Sequence, residues 1–239
     1  MSAPILRLGL RSLFGRARVW LMVAMPVILV VLAFVLRRAS SGDVPADSAE
    51  QLLRNFGIGI AVPVVALVAT TTLINSEFDD GSIIYLLTKP VSRVSIIASK
   101  AVVTLGAGVV FAAVPMLIAG LILSGTADRM ALAGLLGGVV ASIAYVGVFT
   151  ALATTMKRSI IGCLLFWLIW ESTLASLFSP VKWLSPRTWG NSVIQHVSSG
   201  IADTPPVPLW YALAATAVVL VLGVVLAGKR LASMTISEE

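Results

Sequence analysis

The sequence has 239 residues, of which 58% are hydrophobic and only 12% charged, and its mean hydropathy is +1.00. Soluble domains average about 45–50% apolar and about 25% charged residues, so the composition excludes an ordinary soluble enzyme, a disordered chain and a secreted disulfide scaffold. The net charge of +6 fits an anionic membrane surface. No Lys/Arg cluster is interleaved with aromatic residues, so no nucleic-acid partner is expected. With one cysteine and one histidine, neither a metal site nor another cofactor is predicted.

Six apolar runs follow one another along the chain, each close to the about 20 residues that a helix needs to cross a bilayer. The runs are continuous, whereas barrel strands alternate apolar and polar residues. We therefore predict an all-α membrane protein, with residues 1–239 forming one transmembrane domain. The predicted spans are TM1 19–36, TM2 56–74, TM3 101–124, TM4 131–156, TM5 159–178 and TM6 209–228.

The placement of basic residues predicts the orientation. With the N-terminus in the cytoplasm, eleven of the 17 Lys and Arg residues fall on the inner side and six on the outer side. This bias favours N-in and C-in, with Arg37 and Arg38 directly after TM1 as the main exceptions. Before TM1, Leu6, Leu10 and Leu13 share one side of a helix, which predicts an amphipathic helix on the inner leaflet. The expected location is the cell (inner or plasma) membrane, crossed several times.

Two outer segments have opposite character. Residues 37–55 are predicted to form a polar loop. Residues 179–208 contain Trp183 and Trp189 and are too apolar for a free loop, so they predict a short helix that dips into the outer interface, where Trp is favoured. An apolar loop packed on the helices fits the same pattern equally well.

The inner segment 75–100 between TM2 and TM3 is the most informative stretch. It carries three acidic residues, then Gly81, then a short apolar run that ends at Pro90. Ser92 is placed to cap the next helix, which runs through Lys100 into the membrane. A rigid piece joined to two spans can convert a push from a soluble partner into helix tilting. An ordinary solvated loop is the other interpretation of the same spacing.

This segment resembles the signature of ABC-2 type permeases, which are membrane subunits of one class of ABC exporter. The family pattern is an acidic residue, a Gly-Thr pair, a Leu-Leu pair, Pro-x-Ser-Arg and a Lys that opens the third helix. The chain has Ser82 in place of the Thr. The resemblance implies that the segment docks on a separate cytoplasmic ATPase. The coupling residues that it implies are Glu77, Asp79, Asp80, Gly81, Ser82, Ile83, Ile84, Tyr85, Leu87, Pro90, Arg93 and Lys100.

The resemblance also implies the rest of the assembly. A second permease subunit, either the same chain or a relative, and two cytoplasmic ABC ATPase subunits are the expected partners, together with membrane lipids. The implied activity is ATP-driven export of a drug, a peptide, a lipid or glycan, or an ion.

We do not expect this chain to hydrolyse ATP. A phosphate-binding loop needs G-x-x-x-x-G-K-[ST], and residues 223–230 come close. Arg230 stands where the Ser or Thr is required, however, and the run ends an apolar helix instead of joining a strand to a helix. No catalytic residue is predicted, and the ATPase is expected to be another chain.

Glu171 is an acidic residue inside TM5. A carboxylate near the bilayer centre costs about 2.5–3.5 kcal/mol, so a partner across a dimer, a water-filled cavity or a bound proton is expected to compensate. Glu171 is therefore a candidate pathway or dimer-interface residue, and so are the polar residues at the inner end of TM2, Thr70, Thr71 and Asn75. Burial against hydroxyls, or closeness to the outer surface, is the structural alternative for Glu171. Helix packing explains the threonines equally well.

Two other functions are weighed against the permease. An intramembrane enzyme or lipid-modifying protein that uses Glu171 would need a further acid, base or nucleophile in the spans. A secondary transporter is disfavoured because the sequence shows no internal repeat and few charges in its spans.

Overall fold

The computed structural model describes residues 19–79, 93–125, 129–156, 158–198 and 207–233, and every secondary-structure element in these ranges is helical. In chain order, these are α1 (Val19–Ala39), α2 (Ala46–Leu52, Leu53–Ala61 and Val62–Asp79), α3 (Arg93–Gly108, Val109–Ala113 and Val114–Ser124), α4 (Met130–Thr155), α5 (Ser159–Leu165, Phe166–Leu174 and Ala175–Leu177), a 3₁₀ turn (Ser179–Leu184), α6 (Pro186–Val197) and α7 (Leu209–Ser233). The all-α class is confirmed.

Five of these helices are long and apolar enough to cross a membrane. They contain the ranges Trp20–Ala39, Ala46–Leu73, Ile97–Ser124, Met130–Thr155 and Leu209–Arg230. At the predicted fifth span the apolar helix Ser159–Leu174 is shorter. The six-span count and the orientation therefore stay predictions, and the predicted N-terminal amphipathic helix lies outside the described residues.

The first turns of α2 occupy part of the predicted outer loop 37–55. Pro45 precedes the helix, and Asp47 lies in its first turn, where the helix dipole favours an acid. Glu50 and Arg54 form an i,i+4 ion pair with the two charged atoms 3.0 Å apart. These local signals explain why the helix starts at Ala46, before the apolar run begins.

The middle segments of α2, α3 and α5 are wider π-helical turns. Pro63 follows the π segment of α2 within two residues, and Pro115 does the same in α3. A proline inside a helix lacks an N–H and clashes with the carbonyl four residues before it. A widened turn at that point accommodates the ring, which accounts for the position of both irregularities.

Helix α4 is the centre of the bundle and packs on α2, α3, α6 and α7. Its glycines allow close contact on several sides. A Cβ on Gly134 would lie 2.9 Å from the Met116 carbonyl oxygen of α3, and one on Gly147 would lie 2.8 Å from Leu220 Cα of α7. In contrast, only 17% of the 18-residue apolar stretch of α1 is buried inside the protein, and the same share holds for α7. In α2 the buried share is 83%. The outer helices therefore leave most of their apolar surface for lipid or another subunit.

The two arginines that are the main exceptions to the predicted charge bias, Arg37 and Arg38, each contact another group of the protein. The guanidinium of Arg37 donates to the carbonyl oxygen of Ile122 in the last turn of α3. Arg38 lies over the ring of Phe34, with its guanidinium carbon 5.3 Å from the ring centroid. A helix C-terminus and an aromatic face both attract cations, so these contacts account for basic residues at this end of α1.

Candidate functional site

The predicted coupling residues fall only partly on the described chain. Asp80, Gly81, Ser82, Ile83, Ile84, Tyr85, Leu87 and Pro90 lie outside the described residues. Glu77 and Asp79 lie on the last turn of α2, and Arg93 begins α3. The two helices that carry the predicted segment thus end and start at its edges.

Lys100 is the coupling candidate whose side chain is described. Its side chain is 7% exposed, and its Nζ donates to the carbonyl oxygen of Leu73 at 2.7 Å. Leu73 lies in the C-terminal part of α2, so the bond joins α2 to α3 near the predicted coupling segment. Hydrogen bonds with one charged partner are about twice as strong as neutral ones.

Two of the three predicted pathway residues on α2, the threonines, are buried inside the helix bundle. Thr70 and Thr71 are at most 1% exposed, and Thr71 Oγ1 donates to the carbonyl oxygen of Leu67 at 2.7 Å. Thr70 Oγ1 is buried and makes no hydrogen bond. Asn75 lies on α2, and its side chain is outside the description. Their role in a pathway stays a prediction.

Glu171 lies in the π-helical segment of α5 and is 1% exposed. Ser185, which is fully buried, donates its hydroxyl to Glu171 Oε2 at 2.7 Å. The same hydroxyl oxygen accepts the N–H of Thr188 at 3.2 Å, so Ser185 is the N-cap of α6. The carboxylate of one helix is therefore linked to the first turn of another.

Two more groups surround this carboxylate. Tyr145 of α4 is fully buried, and its phenol interacts with the Glu171 carboxylate. Arg187 of α6 interacts electrostatically with Glu171, while its Nη2 donates to Asn55 Oδ1 at 3.1 Å. Arg187 thus supplies a positive charge near the carboxylate, and its hydrogen bond to Asn55 holds its guanidinium against α2.

The π segments of α2 and α5 are joined beside this cluster. Pro63 has no N–H for the carbonyl of Gly59, four residues before it. The indole N–H of Trp167 donates to that carbonyl oxygen at 3.0 Å. A Cβ on Gly59 would lie 3.2 Å from the Arg187 guanidinium carbon, so the glycine makes room for the arginine. The π segments of α2 and α5 and the first turn of α6 therefore share one polar network.

A family model described as an ABC-2 family transporter protein matches residues 15–178, from the start of α1 to the end of α5. The chain belongs to this family. It is therefore a membrane permease of an ABC transporter, a class of protein that works with ABC partner subunits. The prediction from residues 74–100 is confirmed at this level. The chain has no match among curated protein sequences at a stringent threshold.

The match covers both candidate charges of this ABC-2 permease but not the helix that Glu171 contacts. Lys100 and Glu171 both lie within the matched residues, whereas Ser185 and α6 lie beyond them. Within the described ranges, no group of three or more His, Cys, Asp or Glu side chains is placed to hold a metal ion.

Sequence reasoning missed a second buried carboxylate in this permease, Glu50, because it was assigned to the outer loop. Glu50 is 2% exposed, pairs with Arg54 and accepts the Ser198 hydroxyl on Oε2 at 3.3 Å. Ser198 directly follows α6, so each end of α6 contacts a buried acid. The i,i+4 spacing of Glu50 and Arg54 was the signal for a helix here, and nothing local indicated Ser198 as a partner.

Proposed function

We propose that this permease exports its substrate across the cell membrane and is driven by a separate cytoplasmic ABC ATPase through residues 75–100. The observation that carries the proposal is the family match over residues 15–178, which includes the whole of this segment. The substrate class stays open among a drug, a peptide, a lipid or glycan, and an ion.

The proposed topology has six spans with both termini inside. Helix α5 would make the sixth crossing, because the apolar helix Ser159–Leu174 continues to Leu177. Trp183 packs on Tyr211 with ring centroids 4.9 Å apart, and Trp210 is 71% exposed. Trp and Tyr concentrate at membrane interfaces, so these residues support an interface at the α6–α7 end of the bundle.

The Lys100 bond gives the coupling a physical basis. A push on the segment between α2 and α3 reaches both helices at their inner ends. Because Lys100 ties α3 to the Leu73 carbonyl of α2, the two helices would tilt as a pair and not separate. Helix α2 packs on the central α4, so this tilt would reach the core of the bundle.

The remaining parts of the proposal concern partners. ATP hydrolysis is assigned to the partner subunit, two copies of which would act on a pair of permease chains. The apolar surfaces of α1, α5 and α7 would face lipid and the second permease. Leu168, Ile169 and Leu177 of α5, for example, are each about half exposed or more.

The direct test is co-purification of the permease with an ABC ATPase encoded beside its gene, followed by reconstitution and measurement of ATP hydrolysis and export. Gly81→Trp and Ile84→Asp should abolish export-coupled hydrolysis and leave membrane insertion unchanged, because they alter the surface that would dock on the ATPase. Gly81→Ala and Ile84→Val are the matched controls and should keep coupling. Normal coupling in the first pair would refute the assignment of residues 75–100.

A further inference from the structure

Helix α6 is an unusual resident of this bundle. It has 12 residues, well below the about 20 needed to span a membrane, and it carries several polar side chains. Thr188, Asn191 and Ser192 are nevertheless buried, and Asn191 Oδ1 makes no hydrogen bond. Trp189, Val193 and Ile194 bury apolar surface on the same helix, but they do not account for the burial of these polar groups.

Tight backbone contacts surround the middle of α6. A Cβ on Gly190 would lie 2.9 Å from Ile58 of α2 and from Ala141 of α4, and one on Gly137 would lie 2.9 Å from the Gly190 carbonyl oxygen. Such contacts require α6 to sit in one position, and small shifts along or away from α4 lose them. Polar contacts at the ends of the helix add to these contacts in fixing that position.

The N-terminal end of α6 meets a charge. The first N–H groups of a helix lack partners within it and carry about half a positive charge together. At α6, Pro186 has no N–H, and the Thr188 N–H donates a hydrogen bond to Ser185 Oγ. The Ser185 hydroxyl in turn donates a hydrogen bond to Glu171 Oε2. Ser185 therefore passes the polarity of the helix end to the carboxylate.

The dependence runs in both directions. Glu171 is buried, so its negative charge is costly unless donors and positive charge surround it. Ser185 and Arg187 supply both, and both come from the start of α6. If α6 leaves, the carboxylate loses its hydrogen-bond donor and its nearby guanidinium together. If the charge is removed, the hydrogen bond that the N-cap of α6 donates becomes weaker.

We propose that Glu171, acting through the Ser185 hydroxyl, is the positioning residue that holds α6 inside the bundle, and that loss of this contact releases α6. We call the Glu171–Ser185–Thr188 chain of hydrogen bonds the clasp. The clasp itself is a property of the single chain. The further statement that α6 lies toward the outer side of the membrane rests on the proposed function.

The clasp can be tested by thiol accessibility in intact membranes. The reporter is S192C, because Ser192 is fully buried in α6 and close in size to cysteine. The buried Cys163 is first replaced with alanine. The rate of reaction with a membrane-impermeant maleimide is then measured in cells and in inside-out vesicles. A46C, at an exposed position at the start of α2, reports on access of the reagent and on sidedness.

Glu171→Gln keeps the size and the acceptor but removes the charge, and Ser185→Ala removes the link. Each should raise the S192C reaction rate roughly tenfold, since hydrogen bonds to charged groups exceed neutral ones by about the free energy of one decade. Ser185→Thr keeps a capping hydroxyl, and Ser172→Ala changes the neighbour of Glu171. Both controls should stay within about twofold of the parent rate, the span expected of near-neutral substitutions.

The outcomes separate the two proposals. A rate unchanged by Glu171→Gln, or raised equally by Ser172→Ala, overturns the clasp. Reaction of A46C only in inside-out vesicles overturns the proposed orientation but not the clasp, whose variants are then compared in those vesicles. Thermal unfolding of each purified variant shows whether faster reaction reflects local release of α6 or loss of the whole fold, and only local release supports the clasp.

Discussion

Two buried ionisable residues lie at opposite parts of the bundle, and each binds a neighbouring helix, Lys100 at its backbone and Glu171 through a serine side chain. Lys100 donates to the Leu73 carbonyl, toward the C-terminal end of α2. Glu171 accepts from Ser185, which caps the N-terminal end of α6. The Glu171 contact matches the sign of the helix dipole, which favours anions at the N-terminal end of a helix.

The difference lies in what each charge holds. Lys100 contacts the backbone of a long apolar helix directly, so its bond joins two helices that are each long enough to cross a membrane. Glu171 acts through a side-chain hydroxyl on a helix of 12 residues, which is too short to cross a membrane. A direct tie between long helices suits transmission of force, whereas a relayed contact with a short helix suits release. A buried charge can therefore serve to transmit force or to allow release, depending on the helix to which it is bound.

The largest expected effect concerns the core that connects these two ends. A Cβ on Gly223 would lie 2.1 Å from the Gly147 carbonyl oxygen, where α7 crosses α4. Gly223→Ala should therefore lower the free energy of unfolding by about 3 kcal/mol, the upper part of the range for overpacking. Thermal unfolding in detergent measures the change.

Gly106 of α3 provides the matched control, because nothing lies within 4 Å of its added Cβ. Gly106→Ala should stabilise the protein by about 0.5–1 kcal/mol, since alanine costs less backbone entropy in a helix. Equal effects of the two substitutions would show that α4 and α7 do not form a rigid connection between the two charged sites.

The second prediction removes the inner charge. Lys100→Met should lower the free energy of unfolding by about 2 kcal/mol, because a hydrogen bond from a charged donor is lost in a buried place. It should also uncouple ATP hydrolysis from export in the reconstituted complex. Lys182→Met, on the 3₁₀ turn, is the control and should change stability by less than about 0.5 kcal/mol. Similar losses at both lysines would contradict the proposed tie between α2 and α3.

The smallest predicted effect tests the link between the π segments. Trp167→Phe removes the donor to the Gly59 carbonyl and should cost about 1 kcal/mol, the net value of a neutral hydrogen bond. Trp170 donates to the Leu184 carbonyl over a longer distance, 3.4 Å. Trp170→Phe should therefore cost less in the same unfolding assay. A larger loss at Trp170 would reverse the assignment of the stabilising contact.

Much of the fold follows from local patterns. Continuous apolar runs predicted the long helices, because the bilayer requirement acts on each segment by itself. Helix α2 begins at Ala46, ten residues before the predicted span TM2, because the apolar run does not include the Asp47 and Glu50–Arg54 signals that favour a helix. The resemblance around Gly81 and Pro90 indicated the family without the structure.

The candidate site was visible only in part. The cost of Glu171 could be predicted from its place in an apolar run, and a compensating partner was expected. Its identity could not be predicted, because Ser185 reaches the carboxylate only after the chain reverses through the 3₁₀ turn. Pro63 similarly predicts a freed carbonyl at Gly59, but not that Trp167, 108 residues away, would bind it.

The coupling proposal and the clasp together predict that a push on the ends of α2 and α3 next to residues 75–100 moves α6, because α2, α3 and α6 all pack on α4. The most direct measurement is the S192C reaction rate in the reconstituted complex with the ABC ATPase, before and during ATP turnover. The account predicts a severalfold change in this rate that needs both the ATPase and ATP and is absent in Ile84→Asp. A rate unaffected by turnover, or a change of the same size without the ATPase, would contradict it.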